Sequence, residues 1–255
     1  MKLYAIGLGP GDPDCLTPKA KEAILQCEVV AGYTGYLDLI PELLVNKEII
    51  VTGMKGEAER CAAAIDAALK GKKVCVVSGG DAGIYGMAAL LYELAENCPS
   101  IEIAVIPGIT AAVSAAAILG SPLTNDFAVI SLSDLLTPWD VIERRLDACS
   151  AADMAICLYN PQSKKRSDYL KRACEISLRH KTPETQCGYV RNAFRGVDSE
   201  RRVCTLAELA SASVDMFTTV IIGNSNTKLI NGNLITVRGY KVNTKNRMPT
   251  GDVNV

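Results

Sequence analysis

Three glycine turns hold the residues best suited to gripping a small molecule. Each follows an apolar run: Gly7-Leu8-Gly9-Pro10-Gly11-Asp12, then Ser78-Gly79-Gly80-Asp81-Ala82-Gly83-Ile84-Tyr85-Gly86, then Pro107-Gly108-Ile109-Thr110-Ala111-Ala112. Glycine lets a backbone come close to a ligand or to another backbone. Gly7-x-Gly9 after a strand points first to dinucleotide binding. That chemistry needs a third glycine and a helix that starts inside the turn, so that its N-terminus meets the pyrophosphate. Here the third position is Asp12, Pro10 interrupts the turn, and the first good helix start is Thr17-Pro18, an N-cap followed by proline. A phosphate would face a carboxylate. The turn therefore suits a flat or uncharged group, or is only a tight strand end. Asp81 either caps the helix after it or receives a ribose hydroxyl or a cation. The small residues after Thr110 allow close helix–sheet packing with or without a ligand.

Basic side chains gather in two later loops, Tyr159-Asn160-Pro161-Gln162-Ser163-Lys164-Lys165-Arg166 and Arg191-Asn192-Ala193-Phe194-Arg195, with Arg201-Arg202 nearby. They are either solvated surface charge or clamps for a substrate with several carboxylates, which arginine binds through paired hydrogen bonds. Few aromatics are interleaved and the net charge is −1, so no nucleic-acid groove is expected. The ten cysteines include no Cys-x-x-Cys pair, and His180 is the only histidine, so no metal site is expected. The thiols read as small buried hydrophobes of a reducing compartment. No apolar run is long enough to span a membrane, and the first residues make too short a signal core, which together point to the cytoplasm.

Behind these residues stands an alternation of strand and helix. Strands are expected over residues 2–8, 28–31, 48–52, 73–78 and 101–106. Helices follow from 18, over 57–70 with Cys61, Ile65, Ala68 and Leu69 inward, over 84–96 and over 110–119. Strands separated by helices imply a parallel sheet. The turn-rich stretch 120–126 places a domain boundary near 118–125, giving domains 1–120 and 121–255. In the second half strands are expected over 127–132, 154–158, 185–190, 218–222 and 234–237, and helices over 138–148, 163–180 and 205–213. The polar tail 241–255 reads as frayed.

Taken together, the first glycine turn with Pro13 and Leu16-Thr17, the turn Gly79-Gly80-Asp81, and Pro107-Gly108-Ile109-Thr110-Ala111 resemble the tetrapyrrole methylases, the class III S-adenosylmethionine-dependent methyltransferases. The resemblance covers about residues 1–240. One branch, the precorrin-3B or cobalt-precorrin-3 C17-methyltransferases, is resembled further. The motifs are Gly32-Tyr33-Thr34-Gly35-Tyr36, Gly53-Met54 with Glu57 and Arg60, Gly83–Ala88, Tyr159-Asn160-Pro161 with Ser163 and Arg166, Val190-Arg191-Asn192, and the run from Thr218 to Ser225. Two departures are Ala82, where a proline usually follows the aspartate, and the stretch after Asn192, where a glycine and then an acid are expected.

The resemblance implies an α/β fold of two α/β domains with the cofactor cleft between them, the N-terminal sheet mainly parallel and the C-terminal sheet mixed. It implies S-adenosyl-L-methionine as cofactor, lined by Pro10, Gly79, Gly80, Asp81, Ile84, Thr110, Ala111, Asn160 and Ala193. It implies methylation of a tetrapyrrole at C17 with ring contraction, in a homodimer. For proton handling the candidates are Tyr33, Lys55 and Glu57; for substrate carboxylates they are Lys164, Lys165, Arg166, Arg191 and Arg195. Other readings are a related methyltransferase acting on another precorrin or, like diphthine synthase, on a protein; an NAD-dependent oxidoreductase; and a corrinoid carrier without catalysis.

Overall fold

The computed structural model of the chain describes residues 1–240; the tail 241–255, read above as frayed, lies outside them. The first half builds β1 (Lys2–Gly7), α1 (Pro18–Gln26), β2 (Val29–Tyr33), α2 (Thr34–Leu37), β3 (Glu48–Thr52), α3 (Glu57–Leu69), β4 (Val74–Ser78), α4 (Ala88–Leu94) and β5 (Glu102–Ile106). The strands form one parallel sheet in the order β3-β2-β4-β1-β5. Successive residues feed its two faces. Leu3, Ala5, Val29 and Ala31 pack with Cys61 and Ala64 of α3, while Ile6 and Val30 pack with Ala20 and Ile24 of α1. Helix α1 starts as expected: the Thr17 hydroxyl accepts from Ala20 N at 3.2 Å with Pro18 next in line. Leu69, expected inward, is 43% exposed: it is the last residue of α3, whose final turn buries Ala67 and Ala68 against the sheet and leaves Leu69 outside that contact.

The second half builds α5 (Ala111–Leu119), β6 (Gly120–Ser121), β7 (Phe127–Ser131), α6 (Trp139–Ala151), β8 (Ala155–Tyr159), α7 (Tyr169–Ser177), β9 (Gln186–Arg191), β10 (Glu200–Thr205), α8 (Leu206–Leu209), β11 (Thr218–Ile222), β12 (Thr227–Ile230) and β13 (Asn233–Thr236). The second sheet runs β10-β9-β11-β8-β7 and is mixed: β7 and β8 are parallel, the other pairs antiparallel. One face carries α6 and α7, whose Ile142, Leu146, Leu170 and Cys174 pack with Ile156, Leu158, Val220 and Ile222. The other face carries α5: Ala112, Ala115 and Leu119 pack with Cys157, Val190 and Ile221. So α5, which precedes the boundary expected near 118–125, packs on the second sheet. The small β12-β13-β6 sheet adds Leu234 to this cluster.

Several elements differ from expectation. The helix expected over 84–96 starts at Ala88, and that expected over 163–180 is Tyr169–Ser177. Arg201 and Arg202 do not lie in a loop but in β10, paired with Val190 and Tyr189 of β9. A charged edge strand has the exposed face that such residues need. Of the ten cysteines six are buried, and Cys15, Cys98, Cys149 and Cys204 are half-buried. Among the described residues no helix is long and apolar enough to cross a membrane.

Candidate active site

The ends of β4, β1 and β5 lie side by side, and a glycine turn leaves each. Backbone bonds lace the first two turns together: Gly9 N donates to Gly80 O at 2.9 Å, and Gly80 N to Gly9 O at 2.7 Å. The third turn presses against both. A Cβ on Gly108 would sit 2.2 Å from Gly80 O, and one on Gly7 would sit 2.6 Å from Gly108 N. Gly79 answers to a side chain instead, since its Cβ would lie 2.5 Å from the Tyr36 ring.

Asp81 does not cap a helix. Its Oδ1 accepts from Gly83 N at 2.7 Å and its Oδ2 from Gly108 N at 2.9 Å, which ties the second turn to the third. The residues after it fold back on themselves, with Ala88 N donating to Ala82 O at 2.9 Å and Tyr85 at φ +53°, so the helix starts late.

Side chains carry these turns to the second half. Strands β8 and β9 are each antiparallel to β11, so the carboxyl ends of β7, β8 and β9 share one edge of their sheet. The Tyr85 hydroxyl donates to Val129 O at 3.3 Å and accepts from Ser131 N at 3.1 Å, covering open positions of the edge strand β7. Tyr159, at the end of β8, accepts from Ala112 N at 2.8 Å and bonds the Thr110 hydroxyl at 2.5 Å. Burial pushes the Tyr159 phenol up to about 12, so it works here as a neutral hydrogen-bonding group. Arg195 reaches across from the loop after β9, its Nε donating to Pro10 O at 2.6 Å.

The candidate cofactor residues Pro10, Gly79, Gly80, Asp81, Thr110 and Ala111 thus sit on turns that touch. Ile84 is 42% exposed on the loop after Asp81. From the second half come Asn160, at φ +51° with its Nδ2 on the Ser131 hydroxyl at 2.9 Å, and Ala193, packed on the cluster that contains Ala112. Asparagine tolerates this left-handed backbone better than most residues.

Tyr33 ends β2 and pairs in register with Thr52 at the end of β3. The loop after Thr52 carries Lys55, at φ +71°, whose N–H donates to Glu57 Oε1 at 3.3 Å. All three proton-handling candidates therefore share the sheet edge of the glycine turns.

The basic candidates divide. Arg166 is occupied by its own loop, with NH1 on the Ser133 hydroxyl at 2.6 Å and 3.6 Å from Asp134. Arg191 is occupied by Asp215 at 2.7 Å. Lys164 and Lys165 are exposed. Arg195 spends one nitrogen on Pro10 and has no ion-pair partner among the described residues.

Tyr36, Tyr85, Tyr159 and Arg60 were missed as individual site residues, although all lie in the motifs quoted above. Arg60 is 3% exposed, its guanidinium on the Thr52 hydroxyl and 3.8 Å from Met87 Sδ, its Nε without a partner. Its place one helical turn before the inward Ala64 was the available signal.

The backbone answers the dinucleotide reading. The Gly9 and Gly80 amides that would cradle a pyrophosphate are spent on each other's carbonyls. Among the nine candidate cofactor residues the only charge is the Asp81 carboxylate, a donor and acceptor set that fits a cationic, phosphate-free group.

Comparison with known proteins gives the same family throughout. Residues 2–210 match the model of the tetrapyrrole (corrin/porphyrin) methylases. A probable cobalt-factor III C(17)-methyltransferase of Salmonella typhimurium is 45% identical over 239 residues, spanning 93% of this chain and 99% of the relative. Two longer relatives match at 43% identity, the chain spanning 45% and 53% of their length. Among solved structures, that of the methyltransferase CobJ superposes with a TM-score of 0.85 at 33% identity, over 92% of this chain and 99% of the other. A uroporphyrin-III C-methyltransferase of Thermus thermophilus, solved with S-adenosylhomocysteine, shares the fold at a TM-score of 0.69 and 21% identity, over 88% of this chain and 97% of the other.

Proposed function

The chain belongs to the tetrapyrrole methylases, and on that footing we propose that it is an S-adenosylmethionine-dependent C-methyltransferase of cobalamin biosynthesis. Its acceptor is C17 of a cobalt-factor III or precorrin-3B type macrocycle, and methylation is coupled to ring contraction. The relative named for cobalt-factor III favours the cobalt-bearing acceptor. The observation that carries the reading is the interlocked set of glycine turns: the amides of Gly9 and Gly80 are used up on each other's carbonyls, while those carbonyls and the Asp81 carboxylate, though each already accepts one bond, keep further acceptor capacity.

When bound, the cofactor supplies an electrophilic methyl group on a sulfonium. The chain would hold it with Pro10, Gly79, Gly80, Asp81, Ile84, Thr110 and Ala111 from the first half, and Asn160 and Ala193 from the second. The protein's own work is to align the acceptor carbon with that methyl and to exclude water. Arg195, Tyr85 and Tyr159 support this by tying the two halves at the cleft. Ring contraction asks for proton movement or polarisation. Tyr33 and Glu57, with Lys55 held beside them, supply a phenol, a carboxylate and an ammonium on one sheet edge. Lys164, Lys165 and Arg195 offer charge to the macrocycle's acid groups; Arg166 and Arg191 are the weaker clamps because protein groups already engage them. The working unit is a cytoplasmic homodimer, the dimer being open to a sedimentation measurement.

The deciding experiment incubates the purified protein with methyl-labelled S-adenosylmethionine and cobalt-factor III and reads the product by mass spectrometry. One labelled methyl gained by the macrocycle is the expected result. A protein that binds S-adenosylhomocysteine yet transfers no methyl to it has another acceptor.

A further inference from the structure

Around Tyr36, Arg60 of the first half and Arg195 of the second bring positive charge beside a phenol hydroxyl, which the described residues leave unanswered. The Tyr36 ring is fixed: it lies against Gly79 and meets the Tyr33 ring edge-on at 5.4 Å. Its hydroxyl has no hydrogen-bond partner among the described residues, and burial pushes the phenol up, with the Arg195 charge the strongest opposing influence. Arg195 is held in place by Pro10 O, and its side chain lies beside Gly11, where a Cβ would come 3.0 Å from Arg195 Cγ and 3.2 Å from Leu39. Its terminal nitrogens have no protein partner among the described residues.

Arg60 stands behind. It is almost wholly buried, its side chain hydrogen-bonds among the described residues only to a hydroxyl and a thioether, and its Nε is unsatisfied. A guanidinium cannot shed its proton, and burying one without an anion is costly. Glu57, one turn earlier on α3, is turned to the Lys55 amide. Two arginines and an unpaired phenol at the carboxyl ends of a parallel sheet make a site that lacks its anion. A carboxylate fits it, since it accepts from a phenol and from the guanidinium fork together.

We propose that Tyr36 and Arg195, backed by the buried charge of Arg60, form a carboxylate-recognition subsite that takes one acidic side chain of the macrocycle. This rests on the methyltransferase reading above and adds to it the residue that reads the substrate's side chain. Tyr36 is the specificity residue and Arg195 the clamp. Arg60 supplies field from inside and holds Thr52 at the base of the Lys55 loop.

The test measures binding, not turnover. Cobalt-factor III and S-adenosylhomocysteine are each titrated into the wild-type protein, Tyr36→Phe, Arg195→Gln and the double variant. Charge-assisted hydrogen bonds predict that each single change weakens cobalt-factor III binding about tenfold or more. Because both groups serve one carboxylate, the double variant should fall no more than about threefold below the weaker single. S-adenosylhomocysteine binding should stay within about twofold of wild type in Tyr36→Phe and, in Arg195→Gln, which also gives up the bond to Pro10, should fall by clearly less than cobalt-factor III binding, which separates the macrocycle's carboxylate from the cofactor's own. Arg195→Lys, which keeps the charge and loses the fork, should lie between wild type and Arg195→Gln, and melting curves identify any variant that has lost its fold. Unchanged macrocycle binding in Tyr36→Phe and Arg195→Gln overturns the subsite, as does a loss confined to S-adenosylhomocysteine. If the wild-type protein itself binds no cobalt-factor III, the functional reading fails first and takes the subsite with it.

Discussion

At the scale of single residues, the glycines of the turns are needed for one another before any ligand arrives. Gly108 shows this best. A methyl group there would press on the Gly80 carbonyl and the Gly7 backbone, neither of which has a flexible end to move aside. Gly108→Ala should therefore cost about 1–3 kcal/mol or more, the range of overpacked cores. Gly53 offers the control, since nothing lies within 4 Å of its Cβ position and its φ is not in the left-handed region. Gly53→Ala should change stability by less than about 0.5 kcal/mol. Urea titrations of both variants check the pair; equal losses would mean that turn contact is not what selects glycine at 108. The sequence marks these positions as turns, yet it cannot show that Gly7 meets Gly108, because that contact exists only once β1 and β5 pair. Phe194 is instructive in the opposite sense. It sits at φ +53°, a backbone that glycine adopts without strain, which gives a physical reason for expecting glycine after Asn192.

At the scale of elements, the base of the second sheet hangs on one charged knot. Lys181, with its side chain 2% exposed, reaches Asp153 at 3.3 Å and Met154 O at 3.1 Å. Asp153 in turn accepts from the Ser225 amide at 3.1 Å and hydroxyl at 2.5 Å, joining the loops before β8 and β12. Burial pushes the Asp153 carboxyl up, but the Ser225 and Lys181 hydrogen bonds outweigh it and hold it below the usual range. A lowered folded pKa stabilises above the unfolded value of about 3.9 and loses that contribution as pH falls through the folded value. Asp153→Asn, which keeps the left-handed backbone, should cost about 2 kcal/mol at neutral pH, a figure lowered from that of a fully buried pair because Asp153 is 46% exposed. The gap between variant and wild type should narrow below about pH 4, as the wild-type carboxylate takes up its proton. Denaturant titrations from neutral pH downward would expose a gap that does not narrow, and so a role other than charge. Elements with a clear local pattern were legible: β3 and β11 fall at the expected bounds, and α1 at its Thr17 cap. Those shaped by tertiary pairing were not. The charged residues of β10 make a strand only because β9 offers them an edge, and the delayed start of α4 follows from Asp81 being drawn to Gly108.

At the scale of the whole molecule, the glycine turns of the first sheet meet the second half through few polar side-chain contacts. Arg195 on Pro10, Tyr85 on β7 and Tyr159 on the start of α5 are polar, partly exposed contacts. Such contacts contribute only about 1 kcal/mol each. A ligand that touches both halves should therefore stabilise the entire chain, not one sheet. At a hundredfold excess over its dissociation constant, S-adenosylhomocysteine adds about 2.7 kcal/mol to the folded state. For a chain of this size that corresponds to a rise in melting temperature of about 5–10 °C. NAD should give no rise, because the Gly9 and Gly80 amides are already bonded to each other's carbonyls and Asp12 lies in the turn. Tyr85→Phe sharpens the measurement. It removes the hydroxyl that joins the Asp81 turn to β7 and leaves every candidate cofactor residue in place, so the unliganded protein should melt lower while the ligand-induced rise persists. A rise with NAD and none with S-adenosylhomocysteine would reverse the assignment of the cleft. A normal melting temperature in Tyr85→Phe would show that the Tyr85 hydroxyl does not help to hold the halves together and would leave that work to Arg195, Tyr159 and α5.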